Sequence, residues 1–452
     1  MVVRLAVGAV ARAGYDISLA TDTARVARDL LVANHEVSGP TSTVVGTPDL
    51  PLDTRNVDAA VVLQATFTDA TIALSLIGPP SVPILLWAFP EPRTGDRLRL
   101  NSLAGIELAA FELTRAGHDL RWLYLDPSHP AAAERVAHAL GPKPPAPRPG
   151  PSVGPDPAAG AELAARLAGV RVGLIGEHLA GLTPGGATVD ELISLGAPGL
   201  ERVELDELFQ RARHEPLADR RERVADLEGV DGLDAEAVER TLRLHGGLVT
   251  LAADHGWTAV ATRCWPECFT DFGGAACAAQ GMLADDGIPA TCEADVFGAF
   301  TSLLLQWSAG RPGLIAELVD LDPDDGTLAI WRCGIAPRSM AHPGDRPQAT
   351  THPNRGLPLL HQFRLAPGRV TVARLSRTRH RPRLVLGGGE IVDRPRPYAG
   401  TSAVVRLDRL GPDVVGRVVA EGLGHTFGVV HGDVRPQLAG LAEHLDLEVV
   451  WL

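Results

Sequence analysis

The sequence is poor in aromatic residues, at 4% of the chain, and has a single lysine, Lys143, against many arginines. We read that imbalance as the codon bias of a GC-rich genome and attach no mechanism to it. Five cysteines, an odd number in a long chain, argue against a disulfide scaffold and for a reducing compartment. No apolar run reaches the roughly 18 residues a membrane span needs. The opening Met1-Val2-Val3-Arg4-Leu5-Ala6-Val7-Gly8 reads as a first strand, too short for a signal peptide's apolar region. The cytoplasm is therefore the expected location, with no membrane partner. The formal charge of −13 excludes the basic surface that nucleic acid demands. GxGxxG and Walker patterns are absent, so nucleotide binding has no support. No GxSxG elbow points to a serine hydrolase. No CxxC pair points to a structural zinc site, so Cys264, Cys268, Cys277, Cys292 and Cys333 read as buried free thiols.

What is present is a globular balance of 45% hydrophobic and 21% charged residues over 452 positions, enough for two or three domains. Residues 1–145 alternate buried strands (Leu5–Val10, Ala59–Leu63, Ile84–Trp87, Leu120–Leu125) with helical stretches (Asp22–Ala33, Leu103–Ala116, Ala131–Leu140). That alternation predicts a parallel, doubly wound sheet. The proline-rich run Gly141–Pro151 reads as a linker. A second α/β unit is expected over 146–335, with strands at Val170–Gly176, Ala259–Arg263 and Ile288–Glu293 and helices at Ala235–His255 and Val296–Trp307. From 336 to 452 the chain turns to short β-like runs (Arg369–Leu375, Arg383–Leu386, Ala403–Leu407), a smaller antiparallel β domain. The fold class is α/β: two Rossmann-like domains followed by a β-rich one.

Three acids stand beside apolar strands, where a charge is expensive to solvate. Glu267 follows Ala259–Pro266; Glu293 and Asp295 follow Ile288–Cys292. The C-terminal end of such a strand is where open α/β sheets place ligands. In an extended segment Glu293 and Asp295, two apart, would point the same way. Paired carboxylates serve a divalent cation or proton transfer. They serve equally to cap the helices that follow, Asp295 above all. His425 and His431 sit in a glycine-rich tail, Gly422–Gly432, that lets a ligand approach closely.

The ordered set Cys264-Trp265-Pro266-Glu267, Cys292-Glu293-Ala294-Asp295-Val296-Phe297-Gly298-Ala299 and Arg332-Cys333-Gly334-Ile335-Ala336-Pro337 resembles the L-fucose isomerase family and its L-arabinose isomerase relatives. The tail Gly424-His425-Thr426-Phe427 with His431-Gly432-Asp433 is similar to that family's last segment. So are Leu85–Trp87, Pro90-Glu91-Pro92 and Arg99–Gly105 to the first half of its shorter members. The resemblance covers most of the chain. It implies a metal-dependent aldose–ketose isomerase acting on a monosaccharide through a cis-enediol, and a homo-oligomer. It also implies a divalent ion, usually manganese (cobalt, magnesium or zinc being compatible), held by Glu267, Asp295 and His425. Glu267 and Asp295 would combine ligand and acid–base roles, and either could take the carbon-bound proton. Trp265, Glu293, Arg332 and His431 are the neighbours expected to touch the sugar. Arg332 replaces a histidine usual in relatives; facing the pocket, it would favour an anionic substituent. The rival readings are a sugar-binding regulator that has lost catalysis and an epimerase using the same enediolate.

Overall fold

The computed structural model describes residues 2–143, 145, 147–197, 199–378 and 381–452. Its first sheet is parallel, in the order Glu36–Ser38, Arg4–Ala11, Ala59–Gln64, Ile84–Ala88, Leu120–Tyr124, with Thr43–Val45 also pairing to Arg4–Ala11. Ala59–Gln64 and Ile84–Ala88 are buried along their whole length. That explains why they read as unbroken apolar runs: helices cover both faces of a parallel sheet. The expected linker, Gly141–Pro151, holds neither helix nor strand among its described residues; Pro144 and Ala146 lie outside them.

A second parallel sheet runs Ala290–Thr291, Ala259–Thr262, Arg171–Ile175, Gly199–Val203. The strand expected over Ile288–Glu293 is only two residues long. The chain turns at once into left-handed backbone at Glu293 (φ 63°) and Ala294 (φ 55°), so Glu293 and Asp295 are not on an extended segment. Their carboxylates take different partners.

The third sheet has nine strands. Six of them close on one another as a mainly antiparallel barrel: Leu314–Leu321, Leu328–Arg332, Thr401–Leu407, Pro382–Val392, Gly368–Arg377 and Thr426–His431. Ala316, Leu318, Ile330, Val372, Val405 and Phe427 fill its interior. The barrel thus begins at Leu314 and takes in two strands that the sequence pattern assigned to the preceding unit.

Helix Pro157–Leu167, which follows the linker, packs on the C-terminal helix Arg435–His444. Glycines permit that approach: a Cβ on Gly160 would lie 2.2 Å from the carbonyl carbon of Gly440. Among the described residues no helix is long and apolar enough to cross a membrane.

Candidate active site

All three sheets send residues to one cavity of about 120 Å³. That is room for several waters, hence for a small polar ligand. Glu293 reaches it from the tight turn after Ala290–Thr291, and Glu317 from the middle of barrel strand Leu314–Leu321. His425 directly precedes Thr426, the cross-strand partner of Glu317, which brings imidazole and carboxylate together. Donor atoms of Glu293, Glu317 and His425 lie within 4.8 Å of one another. Asn101 comes from the first unit. It is left-handed (φ 51°), and its side chain does not cap the helix it precedes but donates to Glu317 at 2.7 Å. Strain of that kind persists where surrounding contacts dictate it. Here the Glu91 carboxylate accepts the Leu100 and Asn101 N–H groups at 2.8 and 2.7 Å.

Arg332, 2% exposed, ties the cluster together. Its guanidinium donates to Glu293 at 2.9 Å, to Glu317 and to the Cys292 sulfur. Burial pushes the Glu293 carboxyl up, but the charge of Arg332, helped by His425 and by the Arg332 hydrogen bond, outweighs it and holds Glu293 below the usual range. For Glu317 burial prevails over Arg332, with the charge of Glu293 adding to it, and the carboxyl is raised. His425 is lowered to about 4, first by burial and then by Arg332 and Arg374 against the pull of Glu293. It is neutral near pH 7, and neither ring nitrogen has a hydrogen-bond partner among the described residues.

The other residues singled out from the sequence lie elsewhere. Glu267 pairs with Arg263 at 2.6 Å and does not line the cavity. Asp295 caps helix Val296–Ala309 through the Gly298 N–H at 2.7 Å and receives both arms of buried Arg374 at 2.7 and 2.8 Å. Burial raises it, yet Arg374 and the Gly298 hydrogen bond hold its carboxyl below the usual range. His431 is 2.7 Å from the Ala366 carbonyl, away from the cavity. Trp265 lines the rim. Arg332 does face inward, but both its terminal nitrogens are occupied by Glu293, Glu317 and Cys292, and its buried Nε has no partner among the described residues. A second group, Cys277, Cys333 and His352, also brings donor atoms within 4.8 Å. His352 accepts the Asn354 N–H on Nδ1 at 3.2 Å, which places its proton on Nε2 and leaves no free lone pair for a metal.

No family model matches the chain. It is similar over nearly its whole length to known enzymes, each named sulfoquinovose isomerase. That of Alkalicoccus urumqiensis is 26% identical over 453 residues, covering 98% of this chain and 97% of that one. That of Clostridium sp. (strain MSTE9) is 30% identical over 396 residues, 86% and 85% of the two chains. That of Priestia aryabhattai is 26% identical over 401 residues, 87% and 85%. The chain belongs to the sulfoquinovose isomerase family. It is an aldose–ketose isomerase, an intramolecular oxidoreductase acting on a substituted monosaccharide.

For a member of the sulfoquinovose isomerase family, the cavity offers what aldose–ketose chemistry requires. Two carboxylates have been pushed apart in basicity, and a neutral imidazole stands beside them. Sequence reasoning missed Glu317 and Asn101. Glu317 did leave a trace, as an acid inside the apolar run Leu314-Ile315-Ala316-Glu317-Leu318-Val319. Asn101 left none, because a left-handed asparagine is visible only in the backbone.

Proposed function

We propose that this chain converts sulfoquinovose, a glucose whose 6-hydroxyl is replaced by sulfonate, into its ketose, with the proton moved inside the Glu293–Glu317–His425 cluster. The observation that carries the reading is the convergence of those three donors in a sulfoquinovose isomerase family chain, Glu293 and Glu317 on the lining of the cavity and His425 buried beside them. Interconversion moves a hydrogen between C1 and C2 through an enediol. Glu293, ionised under the influence of Arg332, is the base for the carbon-bound proton. Glu317, raised toward its protonated form, donates to O1 as charge develops there, and the ketose forms when Glu293 returns its proton to C1 while Glu317 takes the O2 proton. Asn101 orients Glu317, and Arg332 limits the repulsion between the two acids.

The donor set also fits a divalent cation. Two carboxylates and a neutral imidazole with no partner among the described residues suit manganese, cobalt, magnesium or zinc, manganese being the ion the resemblance to L-fucose isomerases implies. Such an ion would be held by Glu293, His425 and the deprotonated form of Glu317, and would supply Lewis acidity toward the sugar's carbonyl. Glu267 and Asp295, the carboxylates implied by family resemblance, are engaged by Arg263 and Arg374 and take a supporting place in this reading.

The test is to incubate the protein with sulfoquinovose in D₂O, with manganese and with chelator, and to identify the products. Ketose formation with solvent deuterium entering the sugar supports the reading, and loss of turnover with chelator supports the metal. An epimer as sole product, or binding without turnover, would replace it with one of the rival activities.

A further inference from the structure

The inner end of the cavity holds Glu293 and Glu317, and both terminal nitrogens of Arg332 are already engaged there, so an anionic tail on the sugar needs a different receptor. Two arginines stand at the rim. Arg12 follows the C-terminal end of strand Arg4–Ala11, and Arg355 belongs to the turn after Thr351, more than three hundred residues away. Both line the cavity. Both lie over the ring of Trp265, with guanidinium carbons 4.2 and 4.4 Å from its centroid. Neither guanidinium has an ion pair or a side-chain hydrogen bond among the described residues. Arg332 and Arg374, by contrast, are each paired with buried carboxylates.

A stacked guanidinium keeps its in-plane N–H groups free, because the aromatic ring engages only its face. Two of them against one indole, both on the lining of one cavity, offer donors suited to a tetrahedral oxyanion. Asn354, also on the lining, adds an amide beside them. The polarity of the cavity then fixes direction. At the inner end Arg332 already offsets the charge of Glu293 and Glu317, whereas the two rim arginines carry charge with no carboxylate partner among the described residues, so an anion is drawn to the rim, which leaves the aldehyde end facing the carboxylates.

We propose that Arg12 and Arg355, held over Trp265, form the receptor for the sulfonate or similar oxyanion of the substrate and so set specificity for an acidic over a neutral sugar. This rests on the proposed activity for the identity of the sugar, but the receptor can be tested by binding alone. Calorimetric titration of 6-deoxy-6-sulfoglucose and of neutral 6-deoxyglucose into the wild-type protein, Arg12→Gln, Arg355→Gln and Arg355→Lys is the experiment. The expected result is preference of the wild type for the sulfonated sugar. Each glutamine variant should weaken binding of that sugar by about tenfold or more beyond any change for 6-deoxyglucose, the loss of a charge-assisted hydrogen bond. Arg355→Lys should recover part of the loss. Arg355 is exposed, so its replacement tests the receptor even where Arg12→Gln disturbs the strand end. Equal losses on both sugars, or no loss, or a wild type that binds no sulfonated sugar, would overturn the receptor. Arginine-dependent binding with no turnover of either sugar would uphold the receptor and overturn the activity.

Discussion

Arg332 donates to the Glu293 carboxylate at 2.9 Å from a side chain that is 2% exposed, while Glu293 retains 17%. One buried cation thus stabilises two acids, Glu293 and Glu317, that would otherwise repel each other. Removing it as Arg332→Met should cost about 3–5 kcal/mol of stability, the usual penalty for leaving buried charge unpaired. Added manganese should return part of that, about 2.7 kcal/mol at a hundredfold excess over its dissociation constant. Chemical denaturation with and without the ion measures both. A variant whose denaturation midpoint does not respond to manganese would remove the cation from this cluster.

The two carboxylates outside the cluster separate the ligand set seen in the geometry from that implied by family resemblance. Glu267→Gln breaks only a partly exposed pair with Arg263 and should change stability by less than about 1 kcal/mol, with metal content unaffected. Asp295→Asn breaks a buried pair and a helix cap and should cost about 3–5 kcal/mol. Metal analysis of the purified, folded variants decides. Loss of metal in Glu267→Gln would restore Glu267 as a ligand and displace Glu317.

Glu293→Gln should lower kcat by about 10²–10⁴ with a smaller change in KM, the range for removing a general base. Deuterium entry at the sugar's C2 should fall in parallel. Retained exchange with slow product release would assign the proton transfer to Glu317.

Much of this was legible before any coordinates. The parallel sheet over Leu5–Leu125 and the helices Ala235–His255 and Val296–Ala309 follow from periodicity that packing reinforced. The strand after Ile288 did not, because propensity favours extension there while the tertiary turn at Glu293 and Ala294 imposes left-handed backbone. That one turn directs Glu293 to Arg332 and Asp295 to Arg374, which a pattern of alternation cannot express. Glu317, Asn101, Arg12 and Arg355 come from segments far apart in sequence, so no local spacing joins them; only the closure of the barrel against the first sheet does.

Burial lowers His425 to about 4, and His361 likewise, below the ordinary histidine value of about 6.5. A depressed pKa means stability is fully present above about 6.5 and is lost as pH falls through the folded value. Denaturation midpoints should therefore decline between about pH 6.5 and 4. His425→Gln should decline less steeply, by up to one proton's worth, about 1.4 kcal/mol per pH unit. Parallel curves for wild type and variant would mean that His425 is already protonated in the folded state.

Glu107, fully buried on helix Ser102–Ala116, has no partner for either carboxyl oxygen among the described residues. Burial first, and the charge of Glu317 second, push its carboxyl well above the usual range. The folded chain therefore holds it protonated at pH values where the unfolded chain has released the proton. Stability from this group is fully present below about 4.3 and falls as pH rises toward the folded value, by up to about 1.4 kcal/mol per pH unit. Glu107→Gln resembles the neutral acid and cannot ionise. Any packing cost of the amide is the same at every pH, so the informative quantity is the slope. The variant should gain on the wild type steadily from pH 5 to pH 8 in denaturant titrations. A constant difference across that range would show that Glu107 is charged in the folded protein and that a counter-charge reaches it.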